Sequence, residues 1–459
     1  MSVTANLAAK LAEALGAHHV VSAPEELAAY AIDSLIPAAI ARPASAAEVM
    51  EVVKFAIAEK LAVVPLGSRS KCEMGMTPAR YDIALDMNGL HEVAHYDAGD
   101  MTLSIDAGMP LRELEVFLRS HGQFLPLGVP CFETTTAGGV VASGIDSVLR
   151  QQYGTARDFL IGAEFVDGTG QLCKSGGRVV KNVTGYDLQK LLIGSLGTLG
   201  VITRVNFRTF PLPPASGGHL AVFAKSAAAL EYRERIAKAG MPLTNLEVIS
   251  PEVIRIIRAI LQQSGQRIPV DLEEGVWSVY SAFEGTERVV TRISTELERF
   301  ARQAGAQDSE LLSGVADETV GGMLRESFEW LRWAAPATML LRLAICGKTG
   351  EVVDELTRAA EARRMRAALL LRSVGIIYFA TFSDNEAELI ASAKEIYSVA
   401  TTLAHSQGGY ATALHAPLEV KRRIAAARSE RSDAGLQQCV KKVFDPSDIF
   451  APGRVAGGI

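Results

Sequence analysis

Thr134-Thr-Thr-Ala-Gly-Gly-Val-Val-Ala-Ser-Gly144 is the stretch on which the reading of this chain turns. A phosphate-bearing ligand needs backbone N–H groups that converge on its oxygens, and side chains obstruct that approach. Glycine permits both the close contact and the positive φ that such amide nests require. A second segment of the same character, Gly67-Ser-Arg-Ser-Lys71, lies well upstream. Two separated loops suit one extended ligand better than a single tight fingerprint. Neither is a G-x-G-x-x-G after an N-terminal strand, and no G-K-[ST] occurs, so a Rossmann site and a Walker loop are both unsupported. Taken singly, either glycine pair reads more readily as a turn.

Outward from these loops, Ser45-Ala-Ala-Glu48 has the capping-box pattern, and Val49, Val52, Val53 and Ala56 recur behind it at helical spacing. That helix feeds an apolar run, 62–65, and so the first loop. Residues 82–86 and 102–106 alternate as strands. Pro110 opens a helix with Leu111, Leu114, Phe117 and Leu118 on one stripe. Residues 163–166 and 171–174, around Asp167-Gly168, read as a hairpin. Pro211, Pro213 and Pro214 before Ser216-Gly-Gly218 mark a boundary near residue 215. Beyond it, strands are expected at 219–224, 245–249, 276–283, 339–346 and 376–382, and helices at 251–263, 285–304, 316–330, 349–363 and 385–405. This pattern describes an α+β domain with a mixed or antiparallel sheet and helices on one face. A charged helix, 418–430, precedes the tail Phe444-Asp-Pro-Ser-Asp-Ile-Phe-Ala-Pro-Gly453.

A chain of 459 residues exceeds one ordinary core and predicts two or three domains. A net charge of −6 argues against nucleic acid as a partner. No apolar run reaches the roughly 18 residues of a membrane span, and the N-terminus lacks the signal-peptide pattern. A cytoplasmic protein is expected, reaching the inner membrane only peripherally through partners. The five cysteines, at 72, 131, 173, 346 and 439, include no C-x-x-C, so neither a zinc nor an iron–sulfur site is expected within the chain. With no metal chemistry indicated, an organic cofactor is.

The order of motifs carries more than any one of them. Pro65-x-Gly67, Leu85-Asp86, Asp106-Ala-Gly108, residues 134–139, Tyr153-Gly154-x-x-Arg157-Asp158 and Gly197-Thr-Leu-Gly200-Val-Ile-Thr203 resemble, in that order, the FAD-binding domain of the vanillyl-alcohol oxidase superfamily. The tail through Arg454 resembles the end of the same superfamily. Gly176-Gly-Arg-Val-Val-Lys-Asn-Val-Thr-Gly-Tyr-Asp187 with Gly194-Ser-Leu-Gly-Thr-Leu-Gly200, and more weakly Trp333-Ala-Ala-Pro336, resemble the FAD-binding E subunit of bacterial glycolate oxidase. The resemblance implies a two-subdomain PCMH-type FAD-binding domain over 1–215, an α+β cap over 216–408, and a segment, 409–459, returning to the FAD domain. It implies non-covalent FAD: no histidine stands in 66–75 for covalent attachment, and Cys131 reads as a buried thiol. It also implies residue roles. Backbone amides of Gly67, Ser68, Arg69, Ser70 and Lys71, flanked by Pro65, and of Thr134, Thr135, Thr136, Gly138 and Gly139, flanked by Pro130, cradle the pyrophosphate. Ala142, Ser143 and Gly144 approach the flavin and ribityl chain, as do Tyr153, Gly154, Arg157 and Asp158. Gly200, Val201 and Ile202 lie along a ring. Arg69 stands near the usual place of a second glycine and either pairs with a phosphate or points to solvent. Ala451 stands where asparagine is common.

Oxidising a 2-hydroxy acid needs a base for the hydroxyl proton and a cation for the carboxylate. The histidine-rich metal motif of related hydroxy-acid dehydrogenases is not found. His405-Ser-Gln-Gly-Gly-Tyr410-Ala-Thr-Ala-Leu-His415 offers His415 as base, with Tyr410 as the alternative, and Arg342 as a carboxylate clamp. Each also has a blander reading: a hydrogen-bonded structural histidine, and an arginine paired with a local acid. The basic clusters Arg363-Arg364-Met-Arg366 and Lys421-Arg422-Arg423 read as solvated helix faces. The resemblance leaves two functions open. One is a flavoenzyme acting on a small hydroxy acid such as glycolate or lactate. The other is a flavin-carrying electron-transfer or assembly subunit beside a catalytic sister flavoprotein and an iron–sulfur subunit.

Overall fold

The computed structural model describes residues 3–178, 185–265, 274–373, 375–428 and 433–455. Residues 179–184 of the Gly176–Asp187 motif, and the last two of the expected helix 418–430, lie outside the described residues.

The N-terminal half forms two lobes. In the first, Ala39–Ala41, Ile83–Asp86 and Val63–Leu66 run parallel in that spatial order, with Val20–Val21 antiparallel at one edge. Helix Ala46–Glu59 makes the crossover. Its N-cap Ser45 accepts from the Glu48 amide, and Glu48 accepts in return from the amide of Ala44, so the box closes one residue earlier than the simple pattern. Val49, Val52, Val53 and Ala56 are its buried face. The second lobe is an antiparallel sheet ordered Val93–Asp97, Thr102–Asp106, Val201–Arg208, Leu160–Val166, Leu172–Gly176. The Asp167 hairpin joins its last two strands.

The cap is one eight-stranded sheet, wholly antiparallel, ordered Asp308–Leu312, Ala215–Phe223, Trp277–Gly285, Leu243–Ile249, Arg366–Arg372, Ile376–Ser383, Ala337–Ala344, Tyr410–His415. Apart from the exposed edge strand Asp308–Leu312, its strands are mostly buried on both faces, and alternate residues serve different cores. Tyr378, Ala380 and Phe382 join the core shared with the second lobe, whereas Ile377 and Phe379 join the core under Ser226–Ala239, Glu287–Gln303, Thr349–Glu361 and Glu386–Ser406. The expectation of helices on one face is therefore corrected: Pro251–Ser264 and Val315–Arg332 pack on the inner face beside the second lobe.

Residues 410–415, expected to return to the N-terminal unit, are instead the edge strand of the cap sheet. The return begins later. Helix Ala434–Phe444 leads into the tail, where Ile449 O accepts from Val63 N at 2.7 Å and Ala451 N donates to Val63 O at 2.9 Å. The tail thus extends the edge of the parallel sheet, next to the strand that feeds the first loop. Asp445 fixes it, accepting from the amides of Ile449 and Phe450 and from buried Lys441.

Candidate functional site: a cleft between two glycine loops

Val63–Leu66 delivers the chain into the first loop, and Thr136 caps the short helix Ala137–Ser143 that follows the second. The two loops touch. A Cβ on Gly67 would lie 2.3 Å from Thr136 Oγ1, and Gly138 has Ala107 backbone and side chain against its Cα. Between them lies a cleft of about 480 Å³ lined by Gly67, Ser68, Ser70, Gly139, Ser143, Arg454 and their neighbours, with no carboxylate in its wall.

The first loop is an amide nest. Arg69 sits at φ 66°, and among the described residues the backbone N–H groups of Ser68, Arg69, Ser70 and Lys71 donate to no protein acceptor. Buried Arg454, in the same wall, has an Nη1 with no partner while its other amino group donates to Cys72 O. Consecutive free donors and a cation without a carboxylate suit a phosphate-bearing ligand.

The second loop differs from its expected role. The amides of Thr134 and Thr135 go to Cys131 O, and those of Ala137, Gly138 and Gly139 to Met109 O, Ala107 O and Thr136 Oγ1. Its glycines allow close packing and do not present free donors. Lys71 ties the loops together: Nζ donates to Thr135 Oγ1 at 2.6 Å and to Pro130 O at 3.1 Å, and burial pushes its ammonium down to about 8. Arg69 takes neither anticipated path. It donates to Ala29 O at 2.7 Å and stacks on the Tyr30 ring.

The cleft gathers Pro65, residues 67–71, Thr136, Gly139, Ala142 and Ser143. Pro130, Thr135 and Gly138 lie behind it, Thr134 is exposed, and Gly144 ends the helix at φ 60° against Gly194. Other expected residues stand elsewhere. Tyr153 hydrogen-bonds Glu284 of the cap and packs on Phe124 and Phe210. Asp158 accepts from the Thr155 amide and fills the space over Gly154, while Arg157 reaches Lys190 O. Gly200 backs onto Val166 O, and Val201 and Ile202 are buried at the start of a strand. Arg454 and Leu196 were not anticipated in the wall; the tail motif was the available signal for the first.

The cap grips the first loop from behind. Arg332 donates to Ser70 O at 3.1 Å and to Glu73 at 3.0 Å, His415 Nδ1 lies 3.1 Å from Glu73, and Trp333 covers the His415 ring. Lys421, read as solvated, is buried with its Nζ on Asp33 and Glu73 O. Arg366, from the other basic cluster, pairs with Glu252. The His415 ring, then Arg332 and Lys421, hold the Glu73 carboxyl down from 4.5 to about 2, against the opposing effect of burial. A carboxyl depressed on folding stabilises above its unfolded value and loses that contribution as pH falls toward the folded one. Glu73→Gln is therefore expected to flatten the fall in melting temperature between pH 4.5 and 2. Equal slopes for both proteins in a pH series would contradict the pairing.

Arg342 and Tyr410 do meet, their Nη1 and hydroxyl 3.3 Å apart, but Arg342 is bound to Asp146 through Nε at 2.5 Å. His415 belongs to the loop clamp and not to this pair. Cys131 stands outside the cleft wall, its thiol pushed up to about 11 by burial. Among the described residues no group of three His, Cys, Asp or Glu side chains is placed to hold a metal, and no helix is long and apolar enough to cross a membrane.

Two lobes carrying an acid-free cleft with free backbone amides, under a large antiparallel cap, are the arrangement in which comparison with known proteins places an FAD-binding flavoprotein. The chain belongs to the FAD-linked oxidases: residues 37–176 match the family "FAD binding domain" and residues 213–455 match "FAD linked oxidases, C-terminal domain". It is 35% identical over 180 residues to D-2-hydroxyglutarate dehydrogenase of Xanthomonas citri pv. viticola, covering 39% of this chain and 38% of that protein. It is 38% identical over 168 residues to glycolate oxidase subunit GlcE of Escherichia coli, covering 36% and 47%. Against glycolate oxidase subunit GlcD of Bacillus subtilis it is 23% identical over 443 residues, covering 92% and 89%. The chain thus spans less than half the length of the first two relatives. In fold it is similar to p-cresol methylhydroxylase, with a TM-score of 0.78 at 15% identity over 100% of this chain and 98% of that one.

Proposed function

We propose that this chain holds FAD non-covalently in the cleft between the two loops. We further propose that it serves in a glycolate-oxidase-like 2-hydroxy-acid dehydrogenase complex, passing electrons from a small hydroxy acid to an iron–sulfur partner. The observation that carries the reading is the nest of four unpaired amides, Ser68 to Lys71, in an acid-free wall that also contains the orphaned Nη1 of Arg454. These groups would hold the pyrophosphate. Flavin supplies the electron-accepting chemistry when bound. Lys71, Thr135 and Arg332 keep the loop in shape, and the cap beyond residue 215 excludes water from the face where a substrate would lie. The protein would act in the cytoplasm, at the membrane only through partners.

A second reading, an electron-transfer or assembly subunit beside a catalytic sister flavoprotein, is favoured by His415. The best candidate base faces Glu73 and Trp333 and clamps a loop. The purified chain is expected to be yellow, with flavin released by trichloroacetic acid. A colourless chain that takes up no FAD would end the central claim. Anaerobic bleaching by glycolate or D-lactate in the isolated chain supports the first reading, and bleaching only with partner proteins supports the second.

A further inference from the structure

Asp146 stands two residues beyond Gly144, where the cleft-lining helix ends, and the chain carries it onto the inner face of the cap sheet. It is 3% exposed and is surrounded by donors. Arg342 reaches it through Nε at 2.5 Å and Nη2 at 3.2 Å, Tyr378 donates to it at 3.0 Å, and Arg150, the first residue of the next short helix, pairs with it. The sheet register sets this up, because Arg342 lies opposite Tyr378 on one neighbouring strand and opposite Thr412 on the other. Burial works against the charge on Asp146, but Arg342 and Arg150 outweigh it and hold the carboxyl below its usual range. The remaining Arg342 Nη1 turns toward the Tyr410 hydroxyl, and Tyr410 is 47% exposed, so the cluster opens to solvent on that side.

Two guanidinium groups share one carboxylate, which leaves a surplus of one positive charge. The neighbouring Arg372 is already matched by Glu247. A guanidinium nitrogen beside a phenol hydroxyl, here Arg342 Nη1 and Tyr410, suits a carboxylate oxygen. We propose that Arg342, Arg150 and Tyr410 seat the carboxylate of the hydroxy acid, and that Asp146, already in the cluster, restricts the seat to monocarboxylates. The inference rests on the hydroxy-acid reading above. One added negative charge completes the cluster. A second would sit partly desolvated against Asp146, an arrangement that costs several-fold to many-fold in affinity. The relatives named above include both kinds of substrate, the dicarboxylate 2-hydroxyglutarate and the monocarboxylate glycolate, so the distinction separates real alternatives.

The test uses the full-length holoprotein and two analogues without a hydroxyl group, propionate and glutarate, which bind without turnover. Isothermal titration is expected to show propionate binding more tightly than glutarate. Asp146→Asn should move the glutarate-to-propionate affinity ratio toward glutarate by about tenfold or more, and Arg342→Met should abolish both. An unchanged ratio in folded, flavin-replete Asp146→Asn overturns the inference and leaves the hydroxy-acid reading standing. Failure of the unaltered protein to bind either analogue, or its oxidisable hydroxy acid, overturns both. Tyr410→Phe, at a half-exposed position, keeps the question answerable if Asp146→Asn does not fold. It should weaken propionate about threefold or more by loss of one hydrogen bond, and unchanged affinity would again count against the seat.

Discussion

Gly67→Ala protein is expected to emerge from purification with at least tenfold less flavin per chain than the unaltered protein, while still folding. Space decides this, and backbone conformation does not. A Cβ at position 67 would meet Thr136 Oγ1 at 2.3 Å, Cγ2 at 3.1 Å and Cβ at 3.2 Å, so no rotation of the threonine clears all three contacts. The loops must part, and the four free amides that follow Gly67 move with the first of them. Overpacking of this kind costs about 1–3 kcal/mol, and the core under the outer helices of the cap, which shares no residue with the cleft wall, is untouched by it. The ratio of absorbance at 450 and 280 nm reads the flavin, and a melting curve reads the fold. Adding Thr136→Ala to Gly67→Ala removes the two closest obstructing atoms, Oγ1 and Cγ2, at the expense of about 1 kcal/mol for the lost cap on Gly139 N, and should recover part of the flavin. Full flavin in the single variant would mean that close apposition of the loops is not what forms the site.

The same residues show what a sequence discloses. Gly67, Gly138 and Gly144 are legible because glycine itself records the demand, a close approach by another segment or the φ of 60° that ends a helix. The capping box at Ser45 and the tail are legible for the same reason. The tail motif resolves into identifiable bonds, since Asp445 caps its own downstream amides. Ala451, at φ 40°, adopts a conformation that asparagine tolerates better than alanine, which accounts for the usual residue there. What stayed hidden depends on partners far away in the chain. Lys421 reads as a surface cation because its acceptors, on Asp33 and Glu73, arrive from the other end of the molecule, and the tie from Arg332 to Glu73 spans a comparable stretch of chain. Tyr153 and Asp158 fit the motif spacing, yet one anchors the cap and the other caps a turn. The strand Arg366–Arg372 does not show in the sequence because arginines bracket its apolar run, and the second of them is wholly buried.

That buried arginine gives the largest stability effect to be expected. Arg372 and Glu247 face each other on adjacent strands, Nε to Oε1 at 2.7 Å, both without solvent exposure, and Arg372 Nη2 also donates to Leu324 O. Glu247 Oε2 has no other donor, and burial already raises its carboxyl despite the guanidinium. Arg372→Met strands that carboxylate in the sheet, a loss of about 3–5 kcal/mol. The pH dependence follows from the sign of the shift. With its partner gone, Glu247 is raised further, so the folded state keeps a proton that the unfolded chain has released above its ordinary 4.5. Stability of the variant relative to the unaltered protein therefore falls as pH rises through that window, and the deficit in urea unfolding should be smaller at pH 5 than at pH 8. Arg372→Met with Glu247→Leu removes both charges and should regain most of the loss, because an apolar pair of similar volume needs no desolvated charge. A single variant within about 1 kcal/mol of the unaltered protein at pH 8 would show that the pair is not matched as a buried ion pair. Because Tyr378 lies between Arg372 and Asp146, with the guanidinium 5.2 Å from its ring and its hydroxyl on the carboxylate, the double variant also separates two roles. The ion pair at 247 and 372 holds the sheet together, while the cluster at Asp146 keeps its donors, so carboxylate binding should survive a change that removes one neighbouring charge pair entirely.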